Sequence, residues 1–398
     1  MRGYRLFVVS AIVVLLAACG GGSGSNDRTS PPPIPSYSYQ VPASLGDGWT
    51  TSNADSQGLS VQRLEDMMEA IGRGEYPIID SIAIASRGSL VFEETIRTQL
   101  DEKDGWVANN DLSRHAQLSV SKSIVSILVG IAVDQGYFGG VDVPYLGLFD
   151  YASYDNWDER KNQITLHHVL AMRLGLEWDE WSTPYGTPDN PVTRFFREQH
   201  DFSKGLLDLP LAADPGSAFA YNTIASISLG QAIQNRNPLA LVDFLATHLL
   251  DPLNITTAGW VDTPSGLPDL GGGLFLRTRD VAKFGQLYLD DGNWNGQQVV
   301  SADWVAASIQ AYTELRWSDP ESRDWQVDGY GYQWWTGYFE HQGRRLDTFV
   351  ALGWGQQTVM VIPELDLVIA INCNDYDDNP GADNQVFGLI ARFILPSG

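Results

Sequence analysis

The stretch at residues 358–372, TVMVIPELDLVIAIN, contains two runs of aliphatic residues separated by a proline-containing turn. Short apolar runs rich in β-branched residues and bounded by a turn predict two buried strands that pair as a hairpin. The stretch at residues 79–94, IDSIAIASRGSLVFEE, has the same character, with a tight Arg-Gly turn between its two runs. Strand sequence therefore lies near both ends of the chain.

Helical spacing of apolar residues flanks this strand sequence on both sides. It occurs at residues 61–74, VQRLEDMMEAIGRG, and at residues 384–395, NQVFGLIARFIL, and the long middle of the chain is mostly helical in pattern. We therefore predict an α+β fold. A mixed antiparallel sheet is built from both termini and flanked by helices, and it carries an inserted, mostly helical subdomain at about residues 135–320. The order of the strands does not follow from periodicity.

Charge and composition restrict the classes of partner. The chain has 398 residues with 43% hydrophobic and 19% charged residues, which are globular values. Its formal charge of -24 argues against nucleic acid and against a general affinity for anionic lipid surfaces. The six histidines and two cysteines show no ligand spacing such as His-x-x-x-His or Cys-x-x-Cys. We predict no metal and no other cofactor.

The N-terminus has the pattern of a targeting segment. Two arginines precede the apolar run LFVVSAIVVLLAA, which is too short to span a bilayer, and LAAC ends it at Cys19. This pattern resembles a bacterial lipoprotein signal, although an ordinary secretory peptide is the alternative. We predict a signal peptide at residues 1–18, a Gly/Ser/Pro-rich tether at 19–45 and one folded domain at 46–398. Lipidation of Cys19 would anchor the protein in the membrane of a bacterial cell envelope, facing the periplasm or the exterior.

The stretch at residues 118–130, LSVSKSIVSILVG, places Ser119 three residues before Lys122 on an apolar helix. Residues three apart lie on one face of a helix, so the two side chains can touch. Desolvation can lower the pKa of a lysine from about 10.4 towards 7, which lets the amine take the proton of a nucleophilic serine. The alternatives are a serine that caps the helix and a lysine that reaches towards solvent.

Further motifs extend this pattern. SVSKS matches the Ser-x-x-Lys motif of the serine β-lactamase and penicillin-binding-protein superfamily, and ADPGSAFAYNT at residues 213–223 is similar to its Pro-Gly-x-x-Phe-x-Tyr element. Residues 271–296 and 351–372 also look like sequence of that superfamily. The chain most closely resembles the class C-like branch of esterases, D-amino-acid amidases and 6-aminohexanoate-dimer hydrolases. The fold that this resemblance implies agrees with the architecture predicted above.

The resemblance implies a role for each matching residue. Ser119 would be the nucleophile, Lys122 the base that deprotonates it and Tyr221 the relay that passes the proton to the leaving group. The backbone N–H groups of Ser119 and Gln357 would form the oxyanion hole. Taken alone, Tyr221 would be read as a half-buried core tyrosine.

Substrate contacts are implied at Trp354 and Gly355, in the element where the superfamily often has Lys-Thr-Gly, and at Thr223, where class C enzymes have Asn. No lysine follows Lys283, so a Lys-Thr-Gly motif is impossible and with it the ammonium that binds the carboxylate of β-lactams. We therefore expect a serine hydrolase that acts through an acyl-enzyme on a small ester or amide. The alternatives are a β-lactamase or D,D-peptidase, and a catalytically idle wall-binding lipoprotein.

Aromatic residues are dense at residues 176–185, LEWDEWSTPY, and 325–339, WQVDGYGYQWWTGYF. The simpler interpretation is packing in the core and the strands. The alternative is an aromatic wall around the catalytic residues, because ligand pockets are mostly apolar.

Overall fold

The computed structural model of the protein describes residues 36–97, 113–316, 324–376 and 385–396. The predicted signal peptide, Cys19 and the tether up to residue 35 lie outside the described residues. Within those ranges, no helix is both long enough and apolar enough to cross a membrane.

The described residues form fourteen strands, and nine of them make one sheet with the order β1-β3-β2-β14-β13-β12-β11-β10-β9. Only β1 and β3 pair in parallel in that sheet, while β4, β6 and β5 form a small second sheet and β7 pairs with β8. In chain order the strands are β1 (Thr50–Thr51), β2 (Ile79–Ser86), β3 (Ser89–Thr95), β4 (His115–Ala116), β5 (Gly259–Trp260), β6 (Leu274–Leu276), β7 (Asn293–Trp294), β8 (Gln297–Gln298), β9 (Thr313–Glu314), β10 (Trp325–Tyr330), β11 (Trp335–His341), β12 (Arg344–Gly353), β13 (Gln357–Ile362) and β14 (Leu367–Cys373).

Most of the helices lie between β4 and β9 in the chain, and one helix precedes and one follows that segment in the described ranges. Two π-helical turns, Ala246–Leu250 and Ile390–Ile394, continue the seventh and the tenth helix. In chain order the helices of the described ranges are α1 (Val61–Gly72), α2 (Val120–Asp134), α3 (Leu166–Leu170), α4 (Pro191–Glu198), α5 (Phe202–Asp208), α6 (Thr223–Arg236), α7 (Leu241–Leu245), α8 (Thr278–Leu289), α9 (Ala302–Ser308) and α10 (Gln385–Leu389).

The two ends of the chain meet in the middle of the large sheet, which confirms the predicted fold class. β14 pairs antiparallel with β2, with Ile369 opposite Ile84, and on its other side with β13. The β2-β3 turn has positive φ at both Arg87 (49°) and Gly88 (73°), as the right-handed twist of a tight hairpin requires. All residues of β2, β13 and β14 are buried, which explains their unbroken apolar runs.

Two helices that pack on this sheet position the segment around Ser119. α8 packs on β14 and β2, and α2 contacts β12 and β13. The last residue of β12, Gly353, comes so close to the segment before α2 that a Cβ there would lie 2.5 Å from the carbonyl oxygen of Gln117. A side chain would push the strand away, so glycine is required for this approach. The end of β12 is thereby held beside the N-terminus of α2.

The described end of the predicted tether is packed onto the domain. The Tyr39 hydroxyl donates to the carbonyl of Val91 at 2.7 Å and accepts from the backbone N–H of Ala54 at 3.0 Å. Slightly further along the chain, Asp47 accepts two hydrogen bonds from Arg279 of α8, at 2.7 and 3.1 Å. The contacts of Tyr39 order a residue that the composition of the sequence assigns to the flexible tether at 19–45.

Candidate active site

Ser119 lies at the N-terminal end of α2 but does not cap it. No helix amide donates to its side chain, and its Oγ lies 2.9 Å from Nζ of Lys122. The preceding residue, Leu118, has φ 46°, a left-handed conformation that is uncommon for a leucine and can mark a functional turn. The geometry supports the interpretation of Ser119 and Lys122 as a reacting pair over that of a helix cap.

Lys122 is buried, with 1% of its surface exposed. Its Nζ donates to the carbonyl of Gly271 at 2.7 Å in addition to its contact with Ser119. Burial lowers the pKa of Lys122 to about 8, although the negative charges of Glu180 and Asp269 act in the opposite direction. At pH 7 about a tenth of a lysine with such a pKa is neutral and able to accept a proton.

Tyr221 immediately precedes the cap of α6 and completes the cluster. Nζ of Lys122 lies 5.1 Å from the centroid of its ring. Burial raises the pKa of Tyr221, and the neighbouring hydroxyl of Ser119 only partly opposes this, so the phenol stays protonated at neutral pH. Its ring contacts Trp181, at 5.1 Å and 22°, and Trp335, at 5.7 Å and 26°, and these two indoles lie 6.4 Å from each other.

The aromatic stretches contribute both to the site and to the core. Tyr185 lines the cavity described below and Trp181 and Trp335 contact the ring of Tyr221. Trp325 and Trp334 are fully buried in the hydrophobic core. Which residue faces the site is decided by the fold and not by composition.

A cavity of about 370 Å³ opens onto Ser119 and Lys122, which is a size suited to a small ligand. A larger cavity, about 850 Å³, is formed around α4 and α5 and contains neither residue, so we assign the chemistry to the smaller one. The smaller cavity is lined by Ala116, Leu118, Ser119, Lys122, Tyr185, Gly186, Val192, Thr193, Phe196, Thr223, Val261, Asp269, Gly271, Gly272, Gly273, Phe275 and Trp354.

Some of the remaining residues of the predicted site line this cavity and others do not. Thr223 and Trp354 line it, but Gly355 and Gln357 are not among the described residues of its wall. The side chain of Gln357 points to β14, where Nε2 donates to the carbonyl of Cys373 at 2.6 Å and Oε1 accepts from its N–H at 3.0 Å. The role of the Gln357 backbone N–H as an oxyanion donor stays a prediction.

Two buried carboxylates belong to the site but were missed in the sequence. Asp269 lines the cavity, and its Oδ1 accepts from the backbone N–H groups of Gly271 and Gly272 at 2.9 and 3.0 Å. Burial raises the pKa of Asp269, while the Gly271 amide, Lys122 and the Gly272 amide lower it. This turn directs the Gly271 carbonyl at Lys122. In the sequence, an acidic residue two positions before three consecutive glycines was the signal that could have indicated this part of the site.

Glu180 is the second missed carboxylate, and it lies within the aromatic stretch LEWDEWSTPY. It is 1% exposed, and it accepts hydrogen bonds from both the backbone N–H and the hydroxyl of Thr223, each at 2.7 Å. Among the described residues, no group of three or more His, Cys, Asp or Glu side chains could hold a metal ion.

Comparisons with known proteins agree with this fold. Residues 80–388 match the family model described as Beta-lactamase. The 6-aminohexanoate-dimer hydrolase of Paenarthrobacter ureafaciens is 24% identical over 301 residues, which cover 71% of this chain and 69% of that protein. Among solved structures, a family VIII carboxylesterase is similar with a TM-score of 0.61 at 13% identity, over 83% of this chain and 96% of that one. A penicillin-binding protein homologue from Pyrococcus abyssi gives 0.58 at 17% identity, over 83% and 75%.

Proposed function

This chain belongs to the Beta-lactamase family and is a serine hydrolase, and from that premise we propose that it cleaves small esters or amides through an acyl-enzyme on Ser119. The observation that supports this most directly is the buried contact between Ser119 Oγ and Lys122 Nζ, at 2.9 Å, in a cavity of ligand size. The lowered pKa of Lys122, about 8, makes its neutral form accessible near neutral pH.

The proposed reaction begins when neutral Lys122 takes the hydroxyl proton of Ser119 and Oγ attacks the carbonyl carbon of the substrate. The carbonyl π bond opens, and its electron pair becomes an oxyanion. When the tetrahedral intermediate collapses, Tyr221 donates its proton to the leaving oxygen or nitrogen and recovers one from Lys122. A water molecule then attacks the acyl-enzyme by the same sequence of proton transfers and releases the acid.

For the oxyanion hole we propose the backbone N–H groups of Ser119 and Trp354, rather than Ser119 and Gln357. Trp354 lines the cavity together with Ser119, whereas Gln357 is not among the described residues of its wall. Trp354 also directly follows Gly353, whose close approach to Gln117 fixes the end of β12 beside the nucleophile. A donor fixed in this way needs no reorganisation as charge develops.

The charges of the cavity favour an ester or amide over a β-lactam. Among the described residues that line it, Lys122 is the only cation, and Asp269 contributes a carboxyl group. Nothing there offers a permanent positive charge to the carboxylate of a β-lactam or of a cell-wall peptide. A charge-assisted hydrogen bond of this kind contributes about 1.5–3 kcal/mol, or about 10- to 100-fold in affinity.

We therefore expect kcat/KM for phenyl butanoate to exceed that for a chromogenic cephalosporin by about 10- to 100-fold. Both reactions are followed by absorbance on the same preparation of residues 20–398. A cephalosporin turned over as fast as the ester would favour the β-lactamase alternative. No turnover of either substrate, combined with no burst of released phenol, would favour the idle wall-binding protein.

Tyr221→Phe is expected to lower kcat by about 100-fold, because it removes the proton donor and keeps the ring contacts with Trp181 and Trp335. Tyr145→Phe is the matched control, since that buried hydroxyl also contacts a serine, Ser228, at 2.7 Å. The control should keep its rate. If both variants react at the wild-type rate, Tyr221 takes no part in the proton transfer.

A further inference from the structure

Glu180 is a buried carboxylate directly behind the wall of the Ser119 cavity. Oε1 accepts from the hydroxyls of Tyr185 and Thr223, both at 2.7 Å. Oε2 accepts from the backbone N–H of Thr223 at 2.7 Å and from the indole N–H of Trp178 at 2.8 Å. The backbone amide and the indole can only donate, so Oε2 carries no proton, and the two hydroxyls at Oε1 are placed to donate as well. Four hydrogen bonds donated to one carboxyl group favour its ionised form, which accepts at both oxygens.

This arrangement decides what the cavity wall can offer to a ligand. Thr223 and Tyr185 both line the cavity, and each hydroxyl has a single proton, which it donates to Glu180. Only lone pairs remain for a bound molecule. The backbone N–H of Thr223 is bonded to the same carboxylate, so Oγ1 of Thr223 is the more firmly fixed of the two acceptors. A hydroxyl fixed in this way accepts from N–H groups and cannot donate to a carboxylate.

The charges around the cavity also favour ligands that carry N–H donors. Glu180 is 1% exposed and Asp269 is 7% exposed, so solvent screens neither carboxyl group strongly. Lys122 is the only cation among the described residues of the cavity wall, and it must be neutral when it accepts the proton of Ser119. The Ser119 cavity, which receives the substrate, is therefore surrounded by an excess of negative charge.

We propose that Glu180 sets the charge selectivity of this cavity, favouring acyl groups with an ammonium or N–H donor near the scissile carbonyl over neutral and anionic isosteres. The proposal rests on the acyl-enzyme function proposed above and adds a substrate class to it, aminoacyl esters or amides. Glu180 acts through its charge and through the orientation of Thr223, so it is a specificity-determining and positioning residue.

The test uses three phenyl esters of similar length, with 3-aminopropanoyl, butanoyl and succinyl groups, assayed at pH 7.5 and corrected for spontaneous hydrolysis. In the wild-type protein we expect kcat/KM to fall in that order, with a difference of about tenfold between the 3-aminopropanoyl and the butanoyl ester. The succinyl ester should be the poorest substrate because its carboxylate meets two buried carboxyl groups.

Two variants separate the contributions of charge and of the acceptor. Glu180→Gln removes the charge, and Thr223→Val removes the acceptor while keeping the shape of the side chain. Each should reduce the ratio of the 3-aminopropanoyl to the butanoyl ester to within about threefold of unity. Thr223→Ser, which keeps the hydroxyl, should retain most of the wild-type ratio.

Asp201→Asn is the matched control, because it neutralises a carboxylate that also accepts from a tyrosine hydroxyl, of Tyr151 at 2.8 Å, and from a helix N–H, of Lys204 at 3.0 Å. Asp201 does not line the Ser119 cavity, so the ratio should not change in this variant. Labelling of Ser119 by a fluorophosphonate confirms in every variant that the site is folded.

The outcomes distinguish this inference from the function on which it rests. If the wild-type protein hydrolyses the esters but prefers the butanoyl or succinyl compound, the charge selectivity is wrong and the hydrolase function stands. An unchanged ratio in labelled Glu180→Gln and Thr223→Val also overturns the inference. If the wild-type protein hydrolyses none of the three esters and is not labelled, the proposed function itself has failed.

Discussion

Ser119→Ala is expected to abolish covalent labelling by a fluorophosphonate and to remove the burst of phenol released from phenyl butanoate. The reason is that Oγ of Ser119 is the atom next to the Lys122 amine, at 2.9 Å, and it faces the cavity. Without the hydroxyl no acyl-enzyme can form. Intact-protein mass spectrometry should show one adduct on the wild-type protein and none on the variant.

The same variant also tests whether Ser119 is only a helix cap. A capping serine stabilises a protein by about 1 kcal/mol, but the side chain of Ser119 accepts no bond from the helix. We therefore expect the Tm of Ser119→Ala to stay within about 2 °C of the wild-type value. Ser123→Ala is the control, because Ser123 lies on the same helix and donates to the carbonyl of Gln333 at 2.6 Å. That control must remain labelled, and labelling of Ser119→Ala would place the nucleophile elsewhere.

Lys122→Met should lower kcat/KM by about 1,000-fold, which is within the range measured for removal of a general base. In the wild-type protein kcat/KM should follow deprotonation of Lys122, whose pKa burial lowers to about 8. Because the neutral amine is the reactive form, the rate rises with pH. From the neutral fractions alone, kcat/KM should be about 50-fold lower at pH 6 than at pH 8. The residual activity of Lys122→Met should lack this dependence.

Lys161→Met is the matched control for this prediction. Lys161 is also fully buried and donates to the backbone carbonyl of Leu207 at 2.8 Å, but it does not line the Ser119 cavity. This control should lose stability, since it leaves a buried carbonyl without its donor, and should keep both its rate and its pH profile. A wild-type profile that is flat from pH 6 to pH 9 would rule out Lys122 as the titrating base.

The site residues differ in how far apart along the chain the residues lie on which their prediction depends. Ser119 and Lys122 lie three positions apart on one helix, so α-helical geometry alone brings them together. Gln357 was placed by matching a motif whose characteristic lysine is missing here, and the structure directs its side chain to Cys373 instead. Glu180 had no motif, because its function depends on Thr223, 43 residues later in the chain.

By itself, the sequence determined the elements whose signals are short in range. These are the unbroken apolar strands at both ends, the tight hairpin turn with its glycine, and the serine-lysine pair on α2. The predicted lipoprotein anchor at Cys19 rests on the sequence alone and stays a prediction. The strand, turn and serine-lysine patterns each extend over only a few residues, so local backbone geometry is enough to specify the structure.

Tyr221 and Trp354 were implied at the site by the family resemblance, but only the tertiary structure added Glu180 and Asp269. These four residues come from separate segments, and their contacts depend on how strands and helices pack. Burial then fixes the chemistry, because removing Lys122 from water lowers its pKa to about 8. Desolvation arises from all the surrounding segments at once, and no single stretch of the sequence records it.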